Sequence, residues 1–301
     1  MKNKITITVI TIILLIILII LIIKPNNKMS NKKEEFTYTP LLYKICDDDS
    51  CIYLLGSIHL GDERINKFSN IIIDSYKESD SLAVEVDISD ITLDINDFML
   101  ENGTIEDYIS SELKNKLINF SDNHPLFVYD TLKYMKLGYV YDYISLIPYM
   151  ENGYNNEGVD SYFINLAKTD NKKIVSLETD EDQLNLLLGY SDEFYIKQIE
   201  EIIDDYEEVK DLSIDLYNAY LESDEKKLQK IIDEDIKYET EEERQYIEDI
   251  HYNRNINMAN NVEEFLKNND NVFMTVGSAH VIGNNGIIDL LKDRYKISIV
   301  K

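Results

Sequence analysis

Two histidines stand in matching places. His59 closes the run Ile52-Tyr53-Leu54-Leu55-Gly56-Ser57-Ile58-His59. His280 closes Val272-Phe273-Met274-Thr275-Val276-Gly277-Ser278-Ala279-His280. Each is an apolar run ending in Gly-Ser-x-His, and the chain has only four histidines. A glycine at a strand end permits a sharp turn or a close backbone approach. The imidazole after it stands at the carboxyl edge of the sheet, where open α/β sheets bind ligands. Glu85 is the third such residue. It lies in Leu82-Ala83-Val84-Glu85-Val86, an apolar strand in which a carboxylate is costly unless it meets a cation or a metal. Two imidazoles and a carboxylate suit a divalent ion with positions open to water and substrate. Such ions activate water near neutral pH, so the implied chemistry is hydrolysis. Arg254 is a fourth candidate, in His251-Tyr252-Asn253-Arg254-Asn255-Ile256-Asn257-Met258. It would clamp a substrate carboxylate or steady an oxyanion. The plainer roles are a strand-end salt bridge for Glu85 and a surface ion pair for Arg254. His124 and His251 have no motif around them and read as structural or exposed.

Such a site needs two strands that end at one edge. After His59 come a loop, a helical pattern around 65–78 and the strand Leu82 to Val86. After His280 come Gly283, then Ile287, Ile288, Leu290 and Leu291, then a closing strand from Ile297 to Val300. Both units read as strand, Gly-x-x-His, helix, strand, a weak internal duplication of a βαβ unit. If the strand of Glu85 lies beside the one ending at Gly56, the carboxylate shares the edge of His59. Between the units, 104–149 and 181–268 carry apolar residues at helical spacing, with acidic and tyrosine-rich solvent faces. Gly158-Val159-Asp160-Ser161-Tyr162-Phe163-Ile164 reads as a helix start with Asp160 as its N-cap. That helix leads into the short strand Ile174 to Leu177, which ends at Glu178-Thr179. Residues 198–249 are the most charged part and read as exposed helical faces. No Gly-, Ser- or Pro-rich linker interrupts 40–301. The expected fold is therefore one α/β domain over 40–301, with a central sheet from the two units and a large helical insertion around 100–265.

The N-terminus reads as a membrane segment. Ile5 to Ile23 holds only Ile, Leu, Val and three Thr, enough to cross a core of about 30 Å as a helix rising about 1.5 Å per residue. The apolar run exceeds the usual signal-peptide core of about 7–15 residues and no small-x-small cleavage site follows it. Residues 1–24 are read as a single-pass anchor and 25–39 as a polar linker. Lysines on both sides leave the orientation ambiguous, although the short N-terminal tail favours an exported domain. Of 30 basic and 57 acidic residues, six lysines and no acid fall in the first 33 positions. The rest is strongly acidic, which excludes a general nucleic-acid binder and gives long-range attraction for cations. Cys46 and Cys51 bracket Asp47-Asp48-Asp49-Ser50, a polar turn between apolar runs. This reads as a hairpin with the cysteines opposed across it, within reach of a disulfide or as two thiols. The aspartates do not match an EF-hand loop.

Taken in order, these segments resemble the TraB/GumN family, which includes pheromone-shutdown and Tiki-like proteins. The resemblance runs through Tyr53 to His59, Glu85 with Asp87, Gly158-Val159-Asp160 and Ile174 to Thr179 with Gln183. It closes with Arg254-Asn255-Ile256-Asn257-Met258-Ala259 and Val276 to Gly283, and so covers nearly all of 40–301. It implies an active site of the two Gly-x-x-His motifs plus the glutamate. Those roles fall on His59, Glu85 and His280 as metal ligands, with Arg254 in support and Glu178 and Asn255 as secondary candidates. Tiki relatives are described as metal-dependent proteases using manganese or cobalt. The expected cofactor is thus a divalent ion, manganese, cobalt or zinc, and the expected partner a peptide. Ser57 and Ser278 stand where many relatives have Thr or another small residue. Two other readings remain open. One is a metal-free hydrolase with His59 as a general base oriented by Glu85, as in the distantly similar erythromycin esterases. The other is a protein that sequesters a peptide signal without cutting it.

Overall fold

The computed structural model describes residues 37–232 and 238–301. Among the described residues no helix is long and apolar enough to cross a membrane. The expected anchor at Ile5 to Ile23 lies outside them, as does most of the linker.

A six-stranded sheet runs through the molecule. In chain order its strands are β1 (Leu42–Cys46), β2 (Cys51–Ser57), β4 (Ser81–Val84), β6 (Lys173–Ser176), β7 (Val272–Gly277) and β8 (Lys296–Ile299); β3 (Leu60–Gly61) and β5 (Asn156–Glu157) form a separate two-stranded ladder. The order across the main sheet is β6-β4-β7-β2-β1-β8. β6, β4, β7 and β2 are mutually parallel, while β1 is antiparallel to β2 and to β8. The expected hairpin is present, with Cys46 opposite Cys51 in register. A disulfide joins them, with the Cα atoms 4.1 Å apart, just under the usual range of about 4.4–6.8 Å.

The two Gly-x-x-His units interleave. β4 does not lie beside β2 as the sequence led us to expect; β7 of the second unit sits between them. Gly56 pairs with Val276 and Ser57 with Gly277, so the two motif glycines end neighbouring strands. The reason is topological. The crossover leaving β2 runs outward to β4, and the one leaving β4 continues to β6. The crossover leaving β7 runs the other way, to β8. Right-handed crossovers in opposite directions place their helices on opposite faces. The crevice beyond the carboxyl ends of β2 and β7 is therefore a switch point, where ligands of such sheets bind.

Helices cover both faces. On one lie α1 (Asn70–Glu78) and α4 (Val159–Asp170). Tyr76, Phe163 and Phe273 pack there, with ring centroids 5.5 Å apart for Tyr76–Phe163 and 4.8 Å for Phe163–Phe273. On the other lie α10 (Asn253–Lys267) and α12 (Ile287–Leu291), which pack on each other. The insertion contributes α2 (Ser111–Asn123), α3 (Leu137–Glu151), α5 (Asp180–Leu188), α6 (Asp192–Asp204), α7 (Tyr206–Leu221), α8 (Glu225–Ile232) and α9 (Glu241–Ile247). Its helix starts are cued locally: the side chains of Ser110, Thr179, Ser191 and Thr240 each accept a first-turn backbone N–H, satisfying donors that a helix leaves free. The insertion is not purely helical, because β5 and β6 fall inside it.

The tyrosines correct one expectation. They do not make a solvent face: Tyr76, Tyr141, Tyr149, Tyr217, Tyr220 and Tyr246 are fully buried. In a chain with no Trp, Tyr supplies the bulk of the large aromatic packing. Tyr220 shows how its polar end is managed, donating from its hydroxyl to the Gly56 carbonyl at 2.9 Å.

Candidate active site

His59 leaves the end of β2 and is buried. Its loop is clasped by the β3–β5 ladder, where Leu60 pairs with Glu157 and Gly61 with Asn156. That ladder delivers the start of α4 onto the loop, and the Val159 N–H bonds the Ile58 carbonyl at 3.1 Å. The approach is possible only with glycine at position 158, since a Cβ there would meet the Ile58 oxygen at 2.3 Å. The helix cap is Gly158, not Asp160 as expected from the sequence. Asp160 lies in the first turn and points at the histidine, its Oδ2 2.8 Å from His59 Nδ1. A carboxylate only accepts, so Nδ1 carries the proton.

His280 follows β7 on the single turn α11 (Ser278–Val281) and is fully buried. Its Nδ1 lies 2.5 Å from Asn255 Oδ1. The Asn255 Nδ2 donates to the Asn285 carbonyl at 2.9 Å, which fixes the amide with its oxygen toward the ring. His280 Nδ1 is thus the donor and Nε2 bears the lone pair. The Nε2 atoms of His59 and His280 are both buried and have no hydrogen-bond partner. So are Ser57 Oγ, Thr275 Oγ1, Asp160 Oδ1 and Gln183 Oε1. Unpaired buried polar atoms are costly, and their accumulation around the carboxyl edge of the sheet marks a place built for something more than packing.

Glu85 comes one residue beyond β4 and is completely buried. Its Oε1 accepts the Gly277 N–H at 2.6 Å, and its Oε2 accepts from Arg254 at 2.6 Å. Arg254 also grips Glu178, through Nε at 2.7 Å and through a terminal nitrogen at 2.9 Å. Glu178 in turn accepts from Gln183 Nε2 at 3.3 Å and donates its own N–H to the Glu85 carbonyl at 2.9 Å. Arg254 is therefore not a surface residue. It is buried between two carboxylates and ties β4, the end of β6 and α10 together. A π-helical turn, Glu248–Tyr252, leads into α10 and carries His251. That ring is buried, with Nε2 2.8 Å from the Ala279 carbonyl, so it braces the second Gly-x-x-His loop. His124 is half-buried against Glu151 and stacks on Phe120; its role is structural.

The electrostatics separate the two histidines. Burial drives the His280 pKa well below the ordinary value, and the charges of Arg254, His251 and His59 act in the same direction. His280 is held neutral. Burial also pulls on His59, but the Asp160 carboxylate more than offsets it and leaves the pKa raised. Burial pushes the Glu85 carboxyl up, with Arg254 and His59 pulling against it. Glu178 and Asn255, the secondary candidates, are thus holders of Arg254 and His280. The residue that sequence reasoning missed in this role is Asp160. Its signal, an acid just inside a helix start, has a commoner meaning as a cap.

The donor set suits a divalent ion in part. Two neutral-capable imidazoles, each fixed at Nδ1 and bare at Nε2, match how proteins prepare metal ligands. Glu85 Oε1 stands 4.0 Å from His280 Nε2. The compact trio of acidic or histidine donors found among the described residues lies elsewhere, at Glu201, Glu239 and Glu243 within 4.8 Å of one another. There the Lys197 ammonium supplies the countercharge. His59, Glu85 and His280 as they stand are set wider than that spacing, and so wider than a closed coordination sphere with bonds of about 2.0–2.2 Å.

The TraB/PrgY/gumN family matches the chain over residues 41–298. The chain belongs to this family. The match covers every residue of the site, from His59 to His280, and extends across the helical insertion. No curated protein and no solved structure matches the chain significantly.

Proposed function

We propose that this TraB/PrgY/gumN member is a metal-dependent hydrolase that cleaves a peptide at the carboxyl edge of its sheet. The observation that carries the reading is the pair of buried, unpartnered Nε2 atoms on His59 and His280, each ring locked at Nδ1. In this reading His59 and His280 hold the ion and Glu85 is the carboxylate of the set. Manganese, cobalt or zinc bound there would supply Lewis-acid activation of water and of the scissile carbonyl. Asp160 and Asn255 keep the two imidazoles in the tautomer that presents Nε2. Arg254 and the Gly277 N–H hold the Glu85 carboxylate in place, a positioning role in place of the oxyanion role expected from the sequence. The peptide as substrate rests on the family resemblance. We further assign the hydrolase to the cell membrane, single-pass, with its main domain outside the cytoplasm. The apolar run Ile5 to Ile23 and the Cys46–Cys51 disulfide support that assignment, since such bonds persist in oxidising compartments.

One observation favours a second reading. The Asp160 carboxylate against Nδ1 is also how a histidine is prepared as a general base. That would be a metal-free hydrolase oriented by Asp160, where the sequence pointed to Glu85. The deciding experiment is metal analysis of the purified full chain, wild type against His280→Ala, with cleavage of a peptide library before and after chelation. A stoichiometric ion lost in the variant, with cleavage abolished by chelator, supports the first reading. Chelator-resistant cleavage gives the second. Capture of a peptide without products, unaffected by His59→Ala, refutes both in favour of sequestration.

A further inference from the structure

An open cleft of about 740 Å³ lies between the connection α5–α6 and helix α9, lined in part by Leu186, Tyr190, Asp182, Glu241, Glu242 and Asp249. Its size falls among ligand pockets, which run about 300–1,000 Å³. Its walls are braced across the gap. Tyr190 donates its hydroxyl to Asp249 at 3.0 Å, and Ser191 gives its N–H and hydroxyl to Glu242, both at 2.7 Å. Two of its wall residues are chain neighbours of groups that support the active centre. Asp182 precedes Gln183, which holds Glu178 beside Arg254. Asp249 sits on the π-helical turn that carries His251.

The charge of this cleft is open on one side. Glu241 is paired with Arg244. Asp182, Glu242 and Asp249 accept only from neutral groups: the Thr179 N–H and hydroxyl, Ser191, and Tyr190, Gln245 and Asn253 respectively. Among the described residues none of the three has a cationic partner within 4.0 Å. A concave wall of one sign focuses the field and raises the local concentration of the opposite charge. Tyr190 and Leu186 offer the apolar surface on which the long stem of a Lys or Arg side chain packs.

We propose that this cleft is a docking subsite for a lysine- or arginine-bearing stretch of the peptide that the chain acts on. The proposal names the substrate class of the site described above, and its link to catalysis rests on the hydrolase reading. Docking there would hold the cationic stretch in the cleft while the rest of the peptide reaches the sheet edge that carries His59 and His280.

The test is binding of a fluorescent Lys/Arg-rich octapeptide to the full chain in non-ionic detergent, beside a Gln-substituted counterpart. The triple variant Asp182→Asn, Glu242→Gln, Asp249→Asn should weaken the cationic peptide about tenfold or more and leave the neutral one unchanged. Because Glu242 and Asp249 brace the walls, a second variant touches only exposed side chains: Asp182→Lys with Glu241→Lys should abolish cationic binding. A control neutralises Glu207, Glu208 and Asp211, exposed acids on α7. If that control loses as much affinity as the cleft variants, the attraction belongs to the overall charge of −27 and the proposal falls. Cleft-dependent binding without cleavage keeps the subsite and removes the hydrolase. Cleavage indifferent to peptide charge and to the cleft variants keeps the hydrolase and removes the subsite.

Discussion

Arg254→Met should be among the most damaging single substitutions in the described residues. The guanidinium is buried, and Glu85 opposite it is completely so. Removing one partner of a buried pair costs about 3–5 kcal/mol, because the other charge is left without compensation. Here the upper end applies, since Glu178 loses its cationic partner too. Glu85→Gln should cost less, about 1–3 kcal/mol. The reason is that Arg254 keeps Glu178, at 2.7 and 2.9 Å, when Glu85 becomes neutral. The two changes share one interaction, so the double variant should fall short of the sum by about 1 kcal/mol or more. Urea unfolding followed by far-ultraviolet circular dichroism measures all three, as the chain has no Trp for fluorescence. If Arg254→Met costs less than Glu85→Gln, or the two effects simply add, then Arg254 is not the keystone of the buried network.

Other outcomes follow from the same geometry. Asp160→Ala should lower metal affinity about 10–100-fold by freeing the His59 ring, measured by metal titration; unchanged affinity would remove His59 as a ligand. Gly158→Ala drives a Cβ to 2.3 Å from the Ile58 carbonyl and against His59. It should destabilise by about 1–3 kcal/mol or more, visible as a lower urea midpoint together with lost activity. Asp142 is buried on α3 with neither carboxylate oxygen hydrogen-bonded, and burial raises its pKa well above 3.8. A carboxyl with a raised folded-state pKa stabilises below the unfolded value, and that contribution fades as pH rises through the folded one. Asp142→Asn should therefore gain on the order of 1 kcal/mol at pH 8 and flatten the loss of stability between pH 4 and 8; equal pH slopes in variant and wild type would refute it.

The parts of the fold carried by local pattern were legible. The Cys46–Cys51 hairpin, both Gly-x-x-His strand ends and the short strand before Glu178 follow from apolar runs and turn residues. Strand order was not. Placing β4 beside β2 is the simplest reading of a βαβ unit, and nothing in residues 50–90 announces that β7, more than 180 residues on, will pair between them. Tyrosine defeated the burial pattern for a different reason. Its hydroxyl makes it look like a surface residue at helical spacing, yet Tyr141 and Tyr246 are buried in an aromatic cluster with Phe194. The buried pairing of Arg254 was not legible either, because an arginine amid Asn residues carries no mark of the two acids that fold over it.

The ligand candidates were legible and their holders were not, and the cause is distance along the chain. Asp160 is 101 residues from His59, and Asn255 is 25 from His280. Yet the two holders occupy equivalent places. Each lies on a helix, Asp160 in the first turn of α4 and Asn255 just past the π-helical turn that joins α9 to α10. By the handedness of the crossovers, those helices cover opposite faces of the sheet. Each Gly-x-x-His loop is thus met from its own side by a helix, and that of His59 by a helix start. A helix N-terminus favours a negative partner, which suits the carboxylate of Asp160. The amide of Asn255 adds no charge beside a ring that burial and Arg254 already keep neutral. The quasi-duplication seen in the strands therefore extends to how the histidines are held, and it breaks at the residue that decides which of the two favours a proton.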